Sequence, residues 1–548
     1  MTTHRAARRG RRGLLLGLVA ALVVGSAATA FAWQQREPSA RPAEAQVDAT
    51  ESAPPEDRTW GPTDAEQQDA EQKAAGLTLE ELAGQLIVAR HFSEEQSLVL
   101  VRDRHFAGVM VTGQRALDVG ADPLASVKAF NDQLRTVGEE RDVPVVIPID
   151  QEGGLITRLG SAATSFPTFM SAGAAIGGDP AAARTVTAAA RANGTEMKAL
   201  GFNVVFAPDG DVTIGPDDPV IGSRSAGSDP AVVGQAVAAA VEGYSEAGII
   251  SSVKHFPGHN VDEDSHEALP VLRSDLARLR AHDLPPFVAA IEAGVPSIMT
   301  GHLDVRAIHE GVPASLSRPV VTDVLRDELG YDGLVVSDAL GMAAVMKSHP
   351  GGEAAVEAIK AGSDLALMPA DNEAAYDAML AALKSGDLPE AQARASAART
   401  IGWLTHADAS PRLPGGPASH DQQSQALSAA AVSVVTRSCD RTTPTSFRPQ
   451  GSPELVQAFT EAAQDAGVPL GGGPSVLLLS YGSAGGTGDV VVTTDTPYAL
   501  DASTAPTKVA LYGAGKPAMA ALVDVLIGKA KATGKVPVDG LTSKQQPC

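Results

Sequence analysis

Apolar residues follow two rhythms along this chain. From Leu77 onward, short runs rich in Val, Ile and Phe alternate with longer Ala-rich stretches whose apolar positions recur at helical spacing. The runs predict strands at Gly108–Thr112, Val143–Asp150, Phe202–Pro208, Ile249–Phe256, Ser297–His302, Gly333–Asp338 and Asp364–Pro369. Between or beside them, Asp179–Ala199, Pro230–Ala247, Ser274–Ala293 and Glu353–Ala361 read as helices. Strand–helix alternation of this length fits a closed (β/α)8 barrel or an open doubly wound sheet.

The polar residues favour the barrel. Asp150, Asp209 or Asp211, Lys254-His255, His302, Asp338 and Asp371 all fall at the C-terminal ends of expected strands. A barrel gathers functional groups from many strands at that face, whereas an open sheet concentrates them at one switch point. No glycine fingerprint for a nucleotide follows the first predicted strand. A Pro/Gly/Ser-rich stretch at Leu413–Ser419 marks a boundary, after which shorter strand and helix patterns continue. The fold reading is α/β, a TIM-type barrel over 71–412 followed by a smaller C-terminal α/β sandwich domain over 421–548. The glycines of that second domain read as loops.

Composition changes the picture at the N-terminus. Residues 33–70 are rich in Pro, Ala, Glu and Gln, and read as a disordered linker. Before them, five arginines between Arg5 and Arg12 precede the apolar run Leu14–Ala32, with Ala30-Phe31-Ala32 as a cleavage site. Residues 1–32 thus read as an export signal or a membrane tether through 14–32, and the location as extracytoplasmic. The net charge of −22 excludes a nucleic-acid partner, which requires a basic surface. The chain reads as a monomer. Its two cysteines, Cys439 and Cys548, are expected to pair in an oxidising compartment. Closing a loop of that size contributes about 4–5 kcal/mol in the chain-entropy account.

Two strings carry the chemistry. Lys254-His255-Phe256-Pro257-Gly258-His259, followed by Asp264-Ser265-His266, sets several ionisable groups after a buried strand. A metal site is disfavoured, because no Cys/His or H-E-x-x-H spacing is present and Lys254 would repel a cation. Asp264 and His266 are two residues apart, so an extended loop puts both side chains on one side. A carboxylate beside an imidazole fixes its tautomer and raises its basicity, which equips His266 to give and take a proton near neutrality. The bland alternative is a hydrogen bond that merely braces the loop. In Gly333-Leu-Val-Val-Ser-Asp338 the carboxylate ends an apolar run, as expected of a nucleophile, although a helix-capping Asp has the same local pattern.

Taken together, Ile149 to Gly154 with Arg158, Phe206-Ala207-Pro208 with Asp211, Arg224-Ser225, Lys254 to His259, Asp264 to His266, Pro313 to Ser317 and Ser337 to Leu340 resemble glycoside hydrolase family three. The resemblance is to its NagZ-type β-N-acetylglucosaminidase branch and spans the whole expected barrel. It implies a retaining exo-glycosidase acting on a GlcNAc-containing glycan such as a peptidoglycan fragment or chitooligosaccharide, without cofactor or metal. Asp338 would be the nucleophile, His266 with Asp264 the acid/base, and Asp150, Arg158, Arg224, Lys254 and His255 the sugar-binding residues. Phosphorolysis, a glucosidase activity and a silent cell-wall-binding protein are the alternatives. Three departures from the family pattern stand out: Asn260 in place of Gly, a loop between His259 and Asp264 one residue short, and Leu155 where Arg is common.

Overall fold

The parallel sheet is built from short strands whose alternate residues face opposite ways. The computed structural model describes residues 60–111, 122–416, 418–436 and 443–542. The expected export segment, Cys439 and Cys548 lie outside them. In chain order the strands are β1 (Ile87–Arg90), β2 (Gly108–Met110), β3 (Pro148–Ile149), β4 (Val204–Val205), β5 (Ile250–Phe256), β6 (Ser297–Thr300), β7 (Leu334–Ser337) and β8 (Ala366–Leu367). They form two parallel sheets, ordered β8-β1-β2 and β7-β6-β5-β4-β3. Parallel bridges Gly108–Val146 and Val336–Leu365 span both seams, so each strand neighbours the next in sequence around a curled sheet. Gly108 is required at one seam, since a Cβ there would lie 1.9 Å from the Val146 carbonyl oxygen.

Alternation sorts the side chains into two cores. Val88, Met110, Val146, Val204, Ile250, Met299, Val336 and Leu367 fill the inside of the curl. Ile87, Val109, Ile147, Val205, Val253, Ile298, Val335 and Ala366 face outward into the core beneath the helices. Strand β1 was not among the elements predicted. Its Ile87-Val88-Ala89 follows the helix Leu79–Gln85 after one residue, so no turn signal separates the two apolar stretches.

Two further differences have identifiable causes. The linker expected to run to residue 70 ends earlier, because Thr63 and Glu66 form a capping box that starts a helix at Asp64–Gly76. That helix buries only small residues, Ala70 and Ala74, so it carries almost no amphipathic signal. It packs on the helix Glu390–Ala409, where Trp60 meets Trp403 at 5.7 Å and closes the inner core. The helix expected over Ser274–Ala293 is broken into Leu276–Arg278, a π turn Leu279–Asp283, and Pro285–Glu292. Pro285 and Pro286 cannot donate into a preceding turn, and the wider π turn absorbs the change.

A second sheet follows, from β9 (Ser433–Thr436), β10 (Phe447–Gln450), β11 (Leu470–Leu479), β12 (Val490–Thr493) and β13 (Thr507–Ala510). Its order is β9-β13-β12-β11-β10, all parallel except β9. One face packs with the helices Pro453–Asp465 and Lys516–Leu526 around Phe447, Phe459 and Leu522. The other face contributes Val435, Leu479, Val491 and Tyr512 to the main core. Asp57–Cys548 is correspondingly one compact unit. No helix among the described residues is long and apolar enough to cross a membrane.

Phe287 is fully buried and meets Phe256, the last residue of β5, edge-on at 5.3 Å. Phe287→Ala is expected to lower stability by about 3–5 kcal/mol, from lost burial and the cavity left behind. A fall in the urea midpoint at unchanged slope checks it.

Candidate active site

The ends of β3, β4, β5, β6 and β7 deliver the polar groups, and loops a few residues long aim them. After Asp150 the chain makes a small hairpin, Gln151–Gly153 with Ile156–Thr157. Gly154 at its turn has φ +56, and a Cβ there would lie 2.2 Å from Thr168 Cγ2. This hairpin turns Glu152 inward, where it is enclosed by cations. Arg224 donates Nε and Nη2 to its two oxygens at 2.9 Å each, and Lys254 Nζ lies 2.6 Å from Oε1. Burial pulls the Glu152 carboxyl up, but Arg224 and Lys254 outweigh it and hold it well below the usual range. Lys254 also donates to Asp150 Oδ1 at 2.9 Å, and Arg158 Nη2 donates to Asp150 Oδ2 at 3.2 Å. Burial would lower the Lys254 ammonium, and Asp150 and Glu152 reverse that.

A second centre forms around Asp211. Its Oδ1 accepts the backbone N–H groups of His255 at 3.1 Å and His259 at 2.7 Å, and Oδ2 accepts His255 Nδ1–H at 2.7 Å. These donors overcome burial and bring the carboxyl to about 2. Asp209, beside it, goes the other way: burial and the Asp211 charge push it well above its ordinary value. Ligand atoms of Asp209, Asp211 and His255 lie within 4.8 Å of one another, close enough to hold a cation. The donors on Asp211 and the approach of Arg224 Nη2 to Asp209 at 3.4 Å instead give a carboxylate–imidazole pair bordered by positive charge.

Asp338 stands at the end of β7, its N–H donating to the Thr300 carbonyl at 2.8 Å. Its Oδ1 accepts the Ala339 N–H at 2.7 Å. Burial works against ionisation, but the Ala339 N–H and the Lys254 ammonium help to hold the carboxyl below its ordinary value. His302 is buried and donates Nε2–H to the Ala339 carbonyl at 3.0 Å, so its Nδ1 accepts the Ser315 hydroxyl at 2.7 Å. Burial favours this neutral form.

The loop after β5 carries Asp264 and His266. Both the backbone N–H and Nδ1–H of His266 donate to Asp264 Oδ1 at 2.8 Å, leaving Nε2 as the exchangeable position. The His266 side chain is 66% exposed, so Nε2 is open to a ligand. The loop is tied to the segment after Asp338 through Ala344 N to the Ser265 carbonyl at 3.2 Å and Lys347 Nζ to the Glu267 carbonyl at 2.5 Å. Its other end is held by Asn260, which donates Nδ2 to Asp283 Oδ1 at 2.9 Å at the close of the π turn.

The structure therefore brings together Asp150, Arg158 and Lys254, and separately pairs Asp264 with His266. Arg224 meets Glu152 and Asp209, while His255 meets Asp211. No hydrogen bond joins Asp338 to His266. Glu152, Asp211 and His302 escaped assignment from sequence, although the first lies within the hairpin motif and the third at a strand end. Their partners are distant in the chain, Arg224 being 72 residues from Glu152 and His255 44 from Asp211.

The Asp211 contacts generate a pH prediction. With its carboxyl at about 2 against an ordinary 3.8, its contribution to stability is full above the ordinary value and is lost as pH falls toward 2. Asp211→Asn is expected to lower the melting temperature at pH ~5, with the gap to the native protein closing by pH ~2. Melting curves across that range test it.

Residues 78–402 match the Glycosyl hydrolase family 3 N terminal domain. Beta-hexosaminidase A of Pseudoalteromonas piscicida is 38% identical over 263 residues, 45% of this chain and 43% of the relative's length. Beta-hexosaminidase LpqI of Mycobacterium tuberculosis is 34% identical over 323 residues, covering 56% of this chain and 77% of the relative. Among solved structures, a family 3 β-N-acetylglucosaminidase from Paenibacillus sp. FPU-7 superposes with a TM-score of 0.75 at 30% identity. It aligns with 86% of this chain over its own full length. This chain belongs to glycoside hydrolase family 3, in its NagZ-type branch.

Proposed function

We propose that the protein is a retaining exo-β-N-acetylglucosaminidase that removes terminal β-linked GlcNAc from peptidoglycan fragments or chitooligosaccharides. The observation that carries this reading is an ionised strand-end carboxylate, Asp338, in a site whose loop presents a paired imidazole with its Nε2 exposed. The curled sheet is read as a closed (β/α)8 barrel, with the catalytic groups at its C-terminal mouth. Residues 1–32 are read as an export signal or tether, which puts the reaction outside the cytoplasm.

In the first step Asp338 attacks the anomeric carbon as His266 Nε2–H protonates the departing oxygen. Asp264 accepts from Nδ1–H throughout and stabilises the imidazolium. In the second step Nε2 takes a proton from water, which attacks the glycosyl–Asp338 ester and returns the carboxylate. Asp150, Arg158, Lys254 and His255 bind the sugar hydroxyls, and Arg224 holds Glu152 so that Lys254 stays directed at Asp150. Asp150, Glu152, Asp209, Asp211 and Asp338 already crowd this face with carboxyl groups. An imidazole supplies the proton without adding another like charge.

Asp338→Asn is expected to lower kcat on nitrophenyl β-N-acetylglucosaminide by at least about 10³-fold. His266→Ala is expected to lose about 10²–10⁴-fold on substrates with poor leaving groups and less on nitrophenyl. Turnover should not depend on added phosphate, and the glucoside should react far more slowly. Unchanged hydrolysis in both variants would refute the assignment. Covalent labelling of Asp338 by a fluorinated slow substrate tests retention directly.

A further inference from the structure

The segment that joins β4 to the helix Pro230–Glu246 has two sides. Toward the site it delivers Asp209, Asp211 and Arg224. Away from the site it lies against the second sheet. At the short turn Gly222–Arg224 three successive side chains go three ways. Ser225 donates its hydroxyl to the Asp211 carbonyl at 2.6 Å, within the segment. Arg224 donates to both oxygens of Glu152. Ser223 donates its hydroxyl to Asp495 Oδ1, in the loop that follows β12.

We infer that Asp495 is a positioning residue for sugar binding: by holding Ser223 it fixes the turn, and with it the direction in which Arg224 meets Glu152. The inference rests on the glycosidase reading above, and it gives the second sheet a part in the site without contact to the sugar. In a single 3-10 turn neighbouring residues share one backbone frame, so a tilt at Ser223 swings the Arg224 guanidinium as well. The bidentate pair with Glu152 tolerates little of that, because both N–H groups must stay in line with the carboxylate. Arg224 is also bracketed, since Ser228 donates its N–H to the Pro537 carbonyl at 3.0 Å and accepts the Asp539 N–H at 2.9 Å.

The acceptor itself does not swing. The Asp495 N–H donates to Thr493 Oγ1 at 3.4 Å, and the Thr493 hydroxyl donates to the Thr496 carbonyl at 2.9 Å. Ser223 and Asp495 are both buried, and among the described residues no cation pairs with Asp495. A buried carboxyl without a cation is a costly way to hold one hydroxyl, which points to a demand on geometry rather than on stability. Burial holds that carboxyl above its ordinary value. Ionised or neutral, it keeps an oxygen that bonds Ser223, so the site needs the acceptor and not the charge.

KM and kcat for nitrophenyl β-N-acetylglucosaminide, measured on the full chain beside melting curves, test this. Asp495→Leu and Ser223→Ala are each expected to raise KM at least about fivefold with kcat within about twofold, as for a contact made equally in ground and transition states. Ser223→Ala removes only a hydroxyl and serves where Asp495→Leu does not fold. The double variant should match a single one rather than multiply the effects, because both remove the same bond. Asp495→Asn keeps the acceptor and should return KM to within about twofold of the native value. A lower melting temperature with unchanged KM, multiplied effects in the double variant, or an Asn variant as impaired as the Leu variant overturns the positioning role alone. A native enzyme that does not turn over the nitrophenyl substrate overturns the glycosidase reading, and this role with it.

Discussion

The site depends on the ion-pair network that encloses Glu152. Buried charge is costly unless it is paired, and here one carboxylate is paired twice, by a bidentate guanidinium and by an ammonium. The three groups come from a hairpin after β3, a loop after β4 and the end of β5. Their pairing fixes the relative positions of three strand ends that share few backbone bonds at that level. Lys254 then extends the network to Asp150, and Asp150 to Arg158. Removing a member leaves its neighbour charged and buried, so the network acts as a unit.

Asp211 performs the corresponding task for the turn that follows β5. By accepting two backbone N–H groups and an imidazole N–H, it specifies the path of His255 to His259 and the tautomer of His255. The loop continuing to His266 is thus rigid at its root and again at Ser265, while the imidazole at its tip stays exposed. A group that must donate and then accept a proton benefits from that combination of fixed Nδ1 and accessible Nε2.

How much of this was legible in the sequence depends on chain separation. Asp264 and His266 lie two apart, and their pairing was readable from that spacing alone. Asp338 was readable because it ends an apolar run. The partners of Glu152 and Asp211 lie tens of residues away, and nothing local announces them. Among the elements, seven strands carried turn signals on both sides, whereas β1 had none. The helix Asp64–Gly76 was hidden because its buried face is alanine, although the Thr63–Glu66 capping box was in plain view. The start of a second sheet beyond the Leu413–Ser419 stretch was legible in the chain pattern. The sharing of the main core by Tyr512, Val491 and Leu479 was not, because a strand's pattern does not say which neighbour covers it.

That alanine-faced helix bears on where the catalytic unit begins. Trp60 donates its indole N–H to Ser410 at 3.0 Å, Gly61 N–H donates to His406 Nε2 at 3.2 Å, and His406 Nδ1–H reaches Glu66 at 3.0 Å. Trp403 and Leu404 of the same long helix floor the inner core. Trimming the protein to residue 71, where low-complexity composition gives way to regular patterning, would uncover that floor. The polar stretch ahead of the sheet is, from Trp60 onward, the stopper of the vessel.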